Sequence, residues 1–184
     1  MSANTQILPP LNEIVPIVDP LVVDAVIAEA RGQRIRTVAV AAARTYNHDW
    51  LVVESAKHPG EWNFVQGEIE AGETVDDAVV REIGEEAGLP QEELALGRFV
   101  AMVRTPLAEG RQARDGYEET IYFMKSVLLR GTTEPVPQTS AIRSAVLARK
   151  TKLDQLFEPK RPVKRSFLRH PLTQLAKPSY IKLA

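Results

Sequence analysis

The stretch GEIEAGETVDDAVVREIGEEAGL, residues 67–89, decides the interpretation of this chain. Its central part has helix signals at both ends, because Thr74 can form a capping box with Asp77 and Gly88 follows the last turn. Apolar residues recur every four positions between these ends and predict one buried helix face. The sequence therefore predicts an amphipathic helix that begins after Thr74 and ends before Gly88.

Three glutamates of this helix, Glu82, Glu85 and Glu86, share an arc of roughly 100° beside the apolar face. Like charges three and four residues apart on a helix repel by about 0.2–0.5 kcal/mol per pair. One interpretation is an acidic helix face that contacts only water. The other is a site for Mg²⁺ or Mn²⁺, because these ions take oxygen ligands and make a cluster of carboxylates favourable.

The whole stretch resembles the Nudix box: Gly, five residues, Glu, seven residues, Arg-Glu, an apolar residue, any residue, Glu-Glu, any residue, Gly and an apolar residue. The chain matches every defined position, with Gly67, Glu73, Arg81, Glu82, Ile83, Glu85, Glu86, Gly88 and Leu89. At average residue frequencies, seven fixed matches at fixed spacing arise by chance about once in 10⁸ start positions. The resemblance therefore favours a metal site.

The resemblance implies an activity and roles for single residues. Nudix hydrolases cleave a nucleoside diphosphate linked to another group, X, with a divalent cation. The implied magnesium ligands are Glu82, Glu85, Glu86 and the backbone carbonyl of Gly67. The implied role of Arg81 and Glu73 is to hold the preceding loop against the helix.

Other candidate residues lie outside the box. The general base differs within the family and lies either among the box glutamates Glu82, Glu85 and Glu86 or in a separate loop. Glu118 and Glu119, just before a predicted strand, are either candidates for such a loop base or two acids that contact only water. Cationic side chains that could meet the phosphates of a substrate are Lys57, Arg44, Arg104, Arg111 and Arg114. The aromatic side chains Trp62 and Tyr117 either stack on a base or belong to the core.

The segment WNFVQG, residues 62–67, resembles the W-x-F-P-Q-G sequence before the box of RNA pyrophosphohydrolases and dinucleoside polyphosphate hydrolases, with Val65 in place of proline. This resemblance implies an RNA 5′ end or a dinucleoside polyphosphate as substrate. ADP-ribose and nucleoside triphosphates are alternative substrates. A Nudix module that senses a nucleotide without cleaving it is an alternative function.

Apolar periodicity divides the chain into three parts. Residues 1–33 are a proline-rich, irregular extension with a short helix at 21–32, residues 34–157 form the Nudix domain, and residues 158–184 form a basic C-terminal tail. Within the domain, the patterns predict strands at 34–44, 49–55, 94–105 and 120–130 and a last helix at 140–157. We expect an α/β protein with a mixed sheet, and the resemblance implies an α/β/α sandwich.

Composition limits the possible chemistry and partners. The chain has no cysteine, which excludes disulfides and thiolate sites. The N-terminus lacks the pattern of a signal peptide or a membrane span, so we expect a cytoplasmic protein with no membrane partner. The N-terminal helix is a candidate surface for a homodimer.

Charge is distributed unevenly along the chain. Residues 141–184 hold eleven Lys or Arg against two acids, which leaves a charge of −10 on residues 1–140. A cluster of cations surrounds Phe167 in the basic tail, namely Lys160, Arg161, Lys164, Arg165 and Arg169. The tail either contacts the RNA backbone or packs on the acidic body or on a second subunit.

Overall fold

The computed structural model describes residues 7–17, 19–107, 116–160 and 162–174. The elements in chain order are β1 (Ile14–Pro16), α1 (Leu21–Gly32), β2 (Arg36–Thr45), β3 (Trp50–Ser55), β4 (Trp62–Asn63), β5 (Val65–Glu68), α2 (Val75–Ala87), β6 (Leu94–Pro106), β7 (Glu119–Leu129), β8 (Ile142–Ala148), α3 (Lys150–Leu156) and α4 (Pro162–Gln174). Within these ranges no helix combines the length and the apolarity that a membrane crossing requires.

Strand β2 lies at the centre of a mixed sheet. It runs parallel to β7 along its whole length and antiparallel to β5 on its other side. Strand β6 continues the sheet beyond β7, and β1 pairs with β6. β2 meets β3 at the pair Arg44 and Trp50 beside the hairpin turn, and β3 then pairs with β4 and β8. The predicted mixed sheet is confirmed.

Helices cover both faces of this sheet. Alternate residues of β2 point to opposite faces, as strand geometry requires. Ala39 and Ala41 pack in one core cluster with α1 and α2, whereas Val38 and Val40 pack in a second cluster with α3 and α4. The α/β/α sandwich that the resemblance implied is therefore confirmed.

The N-terminal extension contains the predicted helix and one strand that was not predicted. Helix α1 has the predicted bounds and buries Val23, Val26, Ile27 and Ala30. The stretch before it was expected to be irregular, but Ile14–Pro16 pairs antiparallel with β6. Strand β1 is an edge strand, and an edge position tolerates the proline that ends it.

The helix predicted at 140–157 is wrong in its first half. Ile142–Ala148 form β8, which pairs with β3, and the backbone at Arg149 is extended before α3 begins. Alanine, leucine and arginine favour a helix by intrinsic propensity. Pairing with β3 overrides that preference, because strand formation depends mainly on cross-strand neighbours.

Residues 162–174 of the basic tail, which showed no period in the sequence, form α4. Pro162 occupies the first helical position, where its missing N–H costs nothing. Phe167, Leu168 and Leu172 are buried in the second core cluster together with Phe157 of the preceding segment. This part of the tail therefore packs on the body of the same chain, which is one of the alternatives left open by the sequence.

Candidate active site on the glutamate-rich helix

Both ends of α2 are fixed. The Thr74 hydroxyl accepts a hydrogen bond from the Asp77 backbone N–H, and the Asp77 carboxylate accepts one from the Thr74 N–H. Gly88 ends the helix in the left-handed conformation at a φ of 66°. In the first turn, Asp76 forms an ion pair with the buried Lys125 of β7, at 2.5 Å. The glutamates of α2 therefore project from a helix whose position on the sheet is well defined.

Arg81 joins the helix to the loop before it. Its Nε donates to Oε1 of Glu73 at 2.7 Å and its Nη2 donates to Oε2 at 3.0 Å, and Nη2 also donates to the Glu68 carbonyl. Glu73 also accepts the backbone N–H of Glu70 at 2.9 Å. The hydrogen bonds from Arg81 lower the pKa of Glu73, and those to Glu73 raise the pKa of Arg81. The predicted contact between these two residues is present.

Glu82 lies against the backbone of β5. Its side chain is only 12% exposed, and its Oε1 accepts a hydrogen bond from Arg81 Nη1 at 2.5 Å. A Cβ atom at position 67 would overlap the Glu82 carboxylate, so this approach requires Gly67. Burial raises the pKa of Glu82. A larger residue at position 67 would therefore displace the Glu82 carboxylate from this position.

Glu86 and Glu85 have contrasting surroundings. The Glu86 carboxylate accepts the backbone N–H of Gln66 at 3.1 Å, and burial raises its pKa to about 8. The Glu85 side chain is 57% exposed and lies 3.7 Å from Arg81 Nη1. Two of the three glutamates therefore border β5, and the third extends towards solvent.

The described residues contain no group of three carboxylate or imidazole side chains arranged to hold a metal ion. Glu82 turns towards Arg81, and Glu86 towards Gln66. The chemistry of the donors nevertheless fits a hard divalent cation, since all of them are oxygens. A cation would also favour the charged form of Glu86, which burial disfavours.

The backbone of β5 identifies which carbonyl faces α2. Paired residues in an antiparallel ladder direct both their N–H and their C=O to the partner strand, and the next residue directs both away. Ile69 N–H donates to the Thr37 carbonyl of β2, whereas Gln66 N–H donates to Glu86. By this alternation Gly67 faces β2 and Gln66 faces α2. The geometry therefore favours the carbonyl of Gln66, rather than the predicted one of Gly67, as a metal ligand.

The candidates at the start of β7 lie apart from the box glutamates. Glu119 forms an ion pair with Arg104 Nε at 2.5 Å, and both line a cavity of about 350 Å³ with Glu118. Arg36 of β2 pairs with Thr120, so Glu119 is level with the residue before Arg36. Gly67 pairs with Ala39, four residues further along β2. Four residues of strand span roughly 13 Å. The structure thus does not bring these two acids or Arg104 to the box.

The remaining residues predicted to contact substrate lie near β3 and the turns that flank it. Arg44 is buried beside the hairpin, where its Nη1 is 2.6 Å from His48 Nδ1 and its guanidinium lies 5.8 Å from the ring centre of Trp50. Burial lowers the pKa of Arg44. Lys57 is exposed in the loop before β4, and Trp62 is half-buried against the second core cluster. Arg111, Arg114 and Arg161 lie outside the described residues.

Sequence reasoning missed the contacts of Gln66 with Glu86 and Lys164, and it considered Lys164 only as one of the cations of the tail. Lys164 Nζ of α4 lies 3.3 Å from Oε1 of Gln66 and 4.5 Å from the ring centre of Tyr122. The alternation of strand residues could have placed Gln66 and Gly67 on opposite edges of β5. No local signal connects Lys164 to a residue 98 positions earlier in the chain.

These features define a domain of the Nudix class, and the family comparison agrees. Residues 34–170 match the family model described as NUDIX domain. The chain belongs to this family, and the prediction of a Nudix-type hydrolase is confirmed.

Solved structures with this fold are similar to the chain at low sequence identity. The E. coli dihydroneopterin triphosphate pyrophosphohydrolase has a TM-score of 0.61 and 19% identity, with 75% of this chain and 95% of that chain covered. A C. elegans Ap4A hydrolase has a TM-score of 0.59 and 16% identity, with 77% and 98% covered. The NUDIX domain of Shewanella oneidensis NrtR, complexed with ADP ribose, has a TM-score of 0.58 and 16% identity, with 80% and 97% covered. Comparison with curated proteins gives no significant match.

Proposed function

We propose that this chain is a hydrolase that uses Mg²⁺ or Mn²⁺ to cleave a phosphoanhydride bond in a nucleoside diphosphate linked to another group. The observation that carries this proposal is the arrangement of the complete box. Glu82 and Glu86 lie at the border of α2 and β5, and Arg81 fixes the loop beside them. Burying carboxylates without a function would only cost stability.

In this proposal Glu82, Glu85, Glu86 and the carbonyl of Gln66 hold the cation. A bound divalent cation neutralises phosphate oxygens and activates the attacking water. Gly67 leaves the space that the Glu82 carboxylate occupies, and Arg81 orients that carboxylate from the other side.

The box glutamates are better placed than Glu119 to accept the proton of the attacking water. A general base must lie within hydrogen-bonding reach of the water it deprotonates. Glu119 is held by Arg104 at the start of β7, and the two residues line a cavity to which the box glutamates do not contribute. We therefore assign the base to the box itself.

Among substrates, a dinucleoside polyphosphate is our first candidate and an RNA 5′ end the second. The WNFVQG segment supports both. The described cations of the basic tail have partners on the same chain, since Lys160 pairs with Glu61 and Arg165 with Glu158, and this favours the smaller substrate. The names of the structural neighbours mention Ap4A, ADP ribose and dihydroneopterin triphosphate, which support a phosphoanhydride substrate in general.

A panel assay tests the function. We expect phosphate or nucleotide release from diadenosine tetraphosphate, triphosphorylated RNA, ADP-ribose or a nucleoside triphosphate in magnesium buffer, with loss of activity in EDTA and recovery with Mg²⁺ or Mn²⁺. Glu85→Gln and Glu86→Gln should each lower kcat by about 10²–10³-fold or more while the circular dichroism spectrum is unchanged. The matched control is Glu92→Gln, an exposed glutamate outside the box. Tight nucleotide binding without turnover of any substrate would instead indicate the nucleotide-sensing module.

A further inference from the structure

A strip of polar side chains lies on the sheet face that α4 partly covers. Val38 of β2 pairs with Glu68 on one side and with Tyr122 on the other, so these three side chains share one face. Val38 belongs to the core cluster under α3 and α4, which identifies that face. Gln66 pairs with Val40 and projects from the same face one row further along.

The β5 end of this strip is open to solvent. Arg36 Nε donates to the Glu68 carboxylate at 2.9 Å, and the two side chains are 39% and 42% exposed. Gln66 and Tyr122 are half-buried. Helix α2 lies on the opposite face, so a ligand at the box glutamates reaches this strip around the edge of β5, where Gln66 N–H meets Glu86.

Helix α4 places a lysine on the strip. Lys164 Nζ contacts the Gln66 amide oxygen at 3.3 Å and lies 4.5 Å from the centre of the Tyr122 ring. Phe167, less than one turn further along α4, is fully buried, and its ring lies 6.2 Å from that of Tyr122. The helix backbone at Lys164 is therefore anchored, and this keeps the ammonium group within reach of Gln66.

Gln66 connects this ammonium group to the candidate metal site. Its backbone N–H donates to Glu86, and its side-chain oxygen accepts from Lys164. Gln66 thus contacts the Glu86 carboxylate through its backbone and the Lys164 ammonium group through its side chain. A phosphate chain needs this combination, with acidic metal ligands at one phosphate and a positive charge at the next.

We propose that Lys164, Gln66 and Tyr122 form a phosphate subsite, which binds the part of the substrate adjacent to the bond cleaved at the box. This inference rests on the proposed function. Lysine carries a compact charge with three donors on a flexible stem. Its ammonium can therefore exchange the neutral amide oxygen of Gln66 for a charged phosphate oxygen, which is the stronger acceptor.

Binding of α,β-methylene-ADP tests the subsite, because the methylene bridge resists hydrolysis. The dissociation constant is measured by calorimetry in magnesium buffer. We expect Lys164→Met to weaken binding at least about tenfold, since a hydrogen bond between charged groups is lost while an unbranched apolar side chain remains. Lys164→Arg should stay within about threefold of the unmodified chain because a guanidinium keeps the positive charge and also donates hydrogen bonds to phosphate. Lys152→Met, at an exposed position of α3, removes the same charge and should change nothing.

The kinetics should show the same pattern. For whichever panel substrate is cleaved, Lys164→Met should raise KM by about tenfold and leave kcat within about threefold, as expected for a contact made equally in the ground state and the transition state. Unchanged melting temperatures of both Lys164 variants would exclude a purely structural cause.

The outcomes separate the subsite from the proposed function. The subsite alone is overturned if the unmodified chain hydrolyses a substrate and Lys164→Met has a dissociation constant and a KM within twofold of those of the unmodified chain. No hydrolysis of any substrate, together with weakened binding in Lys164→Met, overturns the proposed function and supports the subsite as a nucleotide-binding feature. Equal weakening in Lys164→Met and Lys164→Arg, with lower melting temperatures, assigns Lys164 a structural role and overturns the subsite.

Discussion

At the scale of the residue, the Glu86 carboxyl links the pH dependence of stability to the site. Burial raises its pKa to about 8, whereas glutamate in an unfolded chain titrates at about 4.3. The folded chain therefore holds this proton more tightly, and its contribution to stability is lost as pH rises from about 4.3 to about 8. We expect the melting temperature in EDTA to fall between pH 5 and pH 8.

Comparison with Glu86→Gln isolates this contribution. The amide oxygen of glutamine can still accept the N–H of Gln66, but the side chain no longer titrates. The variant should therefore show a flatter pH profile than the unmodified chain, and Mg²⁺ at pH 8 should raise its melting temperature less. Superimposable pH profiles in EDTA would contradict the assigned burial of Glu86.

The pair of Arg81 and Glu73 gives a second prediction at this scale. Arg81 lowers the pKa of Glu73, so the stability from this pair is present above the unfolded pKa and is lost as pH falls below it. We expect Glu73→Gln to lower the free energy of unfolding at pH 7 by about 1–3 kcal/mol, because two charge-assisted hydrogen bonds are weakened. Urea denaturation measures the loss. Glu92→Gln serves as control. An equal loss of stability in the control would show that the pair of Arg81 and Glu73 does not stabilise the fold.

At the scale of the element, the sequence predicted those helices and strands whose bounds depend on neighbouring residues in the chain. The caps of α2 at Thr74 and Gly88, its apolar period and its motif all lie within one short stretch, and its bounds are as expected. Strand β8 could not be predicted, because its conformation depends on pairing with β3 about 90 residues earlier in the chain. The candidate site shows the same contrast. The box residues could be predicted because they lie within one stretch, whereas the contact of Gln66 with Lys164 could not, because it joins distant segments.

Helix α4 was missed because Pro171 and a high density of cations mask its apolar face. Its stability depends on burial rather than on propensity. We expect Phe167→Ala to lower the free energy of unfolding by about 3–5 kcal/mol, since this ring is fully buried beside Tyr122. Ser166→Ala, at an exposed position of the same helix, should cost less than about 0.5 kcal/mol. A small effect of Phe167→Ala would show that α4 is a dispensable tail.

At the scale of the whole molecule, Arg165 and Arg169 of α4 pair with Asp154 and Glu158, the two acids of residues 141–184. Arg169 Nε lies 3.2 Å from Asp154 Oδ1, and its Nη2 lies 2.9 Å from Glu158 Oε2. Arg165 donates to the same glutamate at 2.8 Å. Exposed ion pairs of this kind contribute little to stability, but they occupy cations that would otherwise attract a polyanion. Arg165 and Arg169 are therefore weak candidates for contacts with RNA, although the excess of basic residues after position 141 is unchanged by these pairs.

Salt dependence provides the last test of this interpretation. Each phosphate contact that a cation makes with RNA contributes about one unit to the slope of log K against log salt. We expect the double variant Arg165→Gln/Arg169→Gln to bind triphosphorylated RNA with the same slope as the unmodified chain, because both arginines face acids of α3 and its following turn. Lys164→Met should weaken RNA and small nucleotides by similar factors, because the phosphate subsite contacts the same part of both ligands. A slope reduced by about two units in the double variant would instead show that α4 binds the RNA backbone, and would make an RNA 5′ end the preferred substrate.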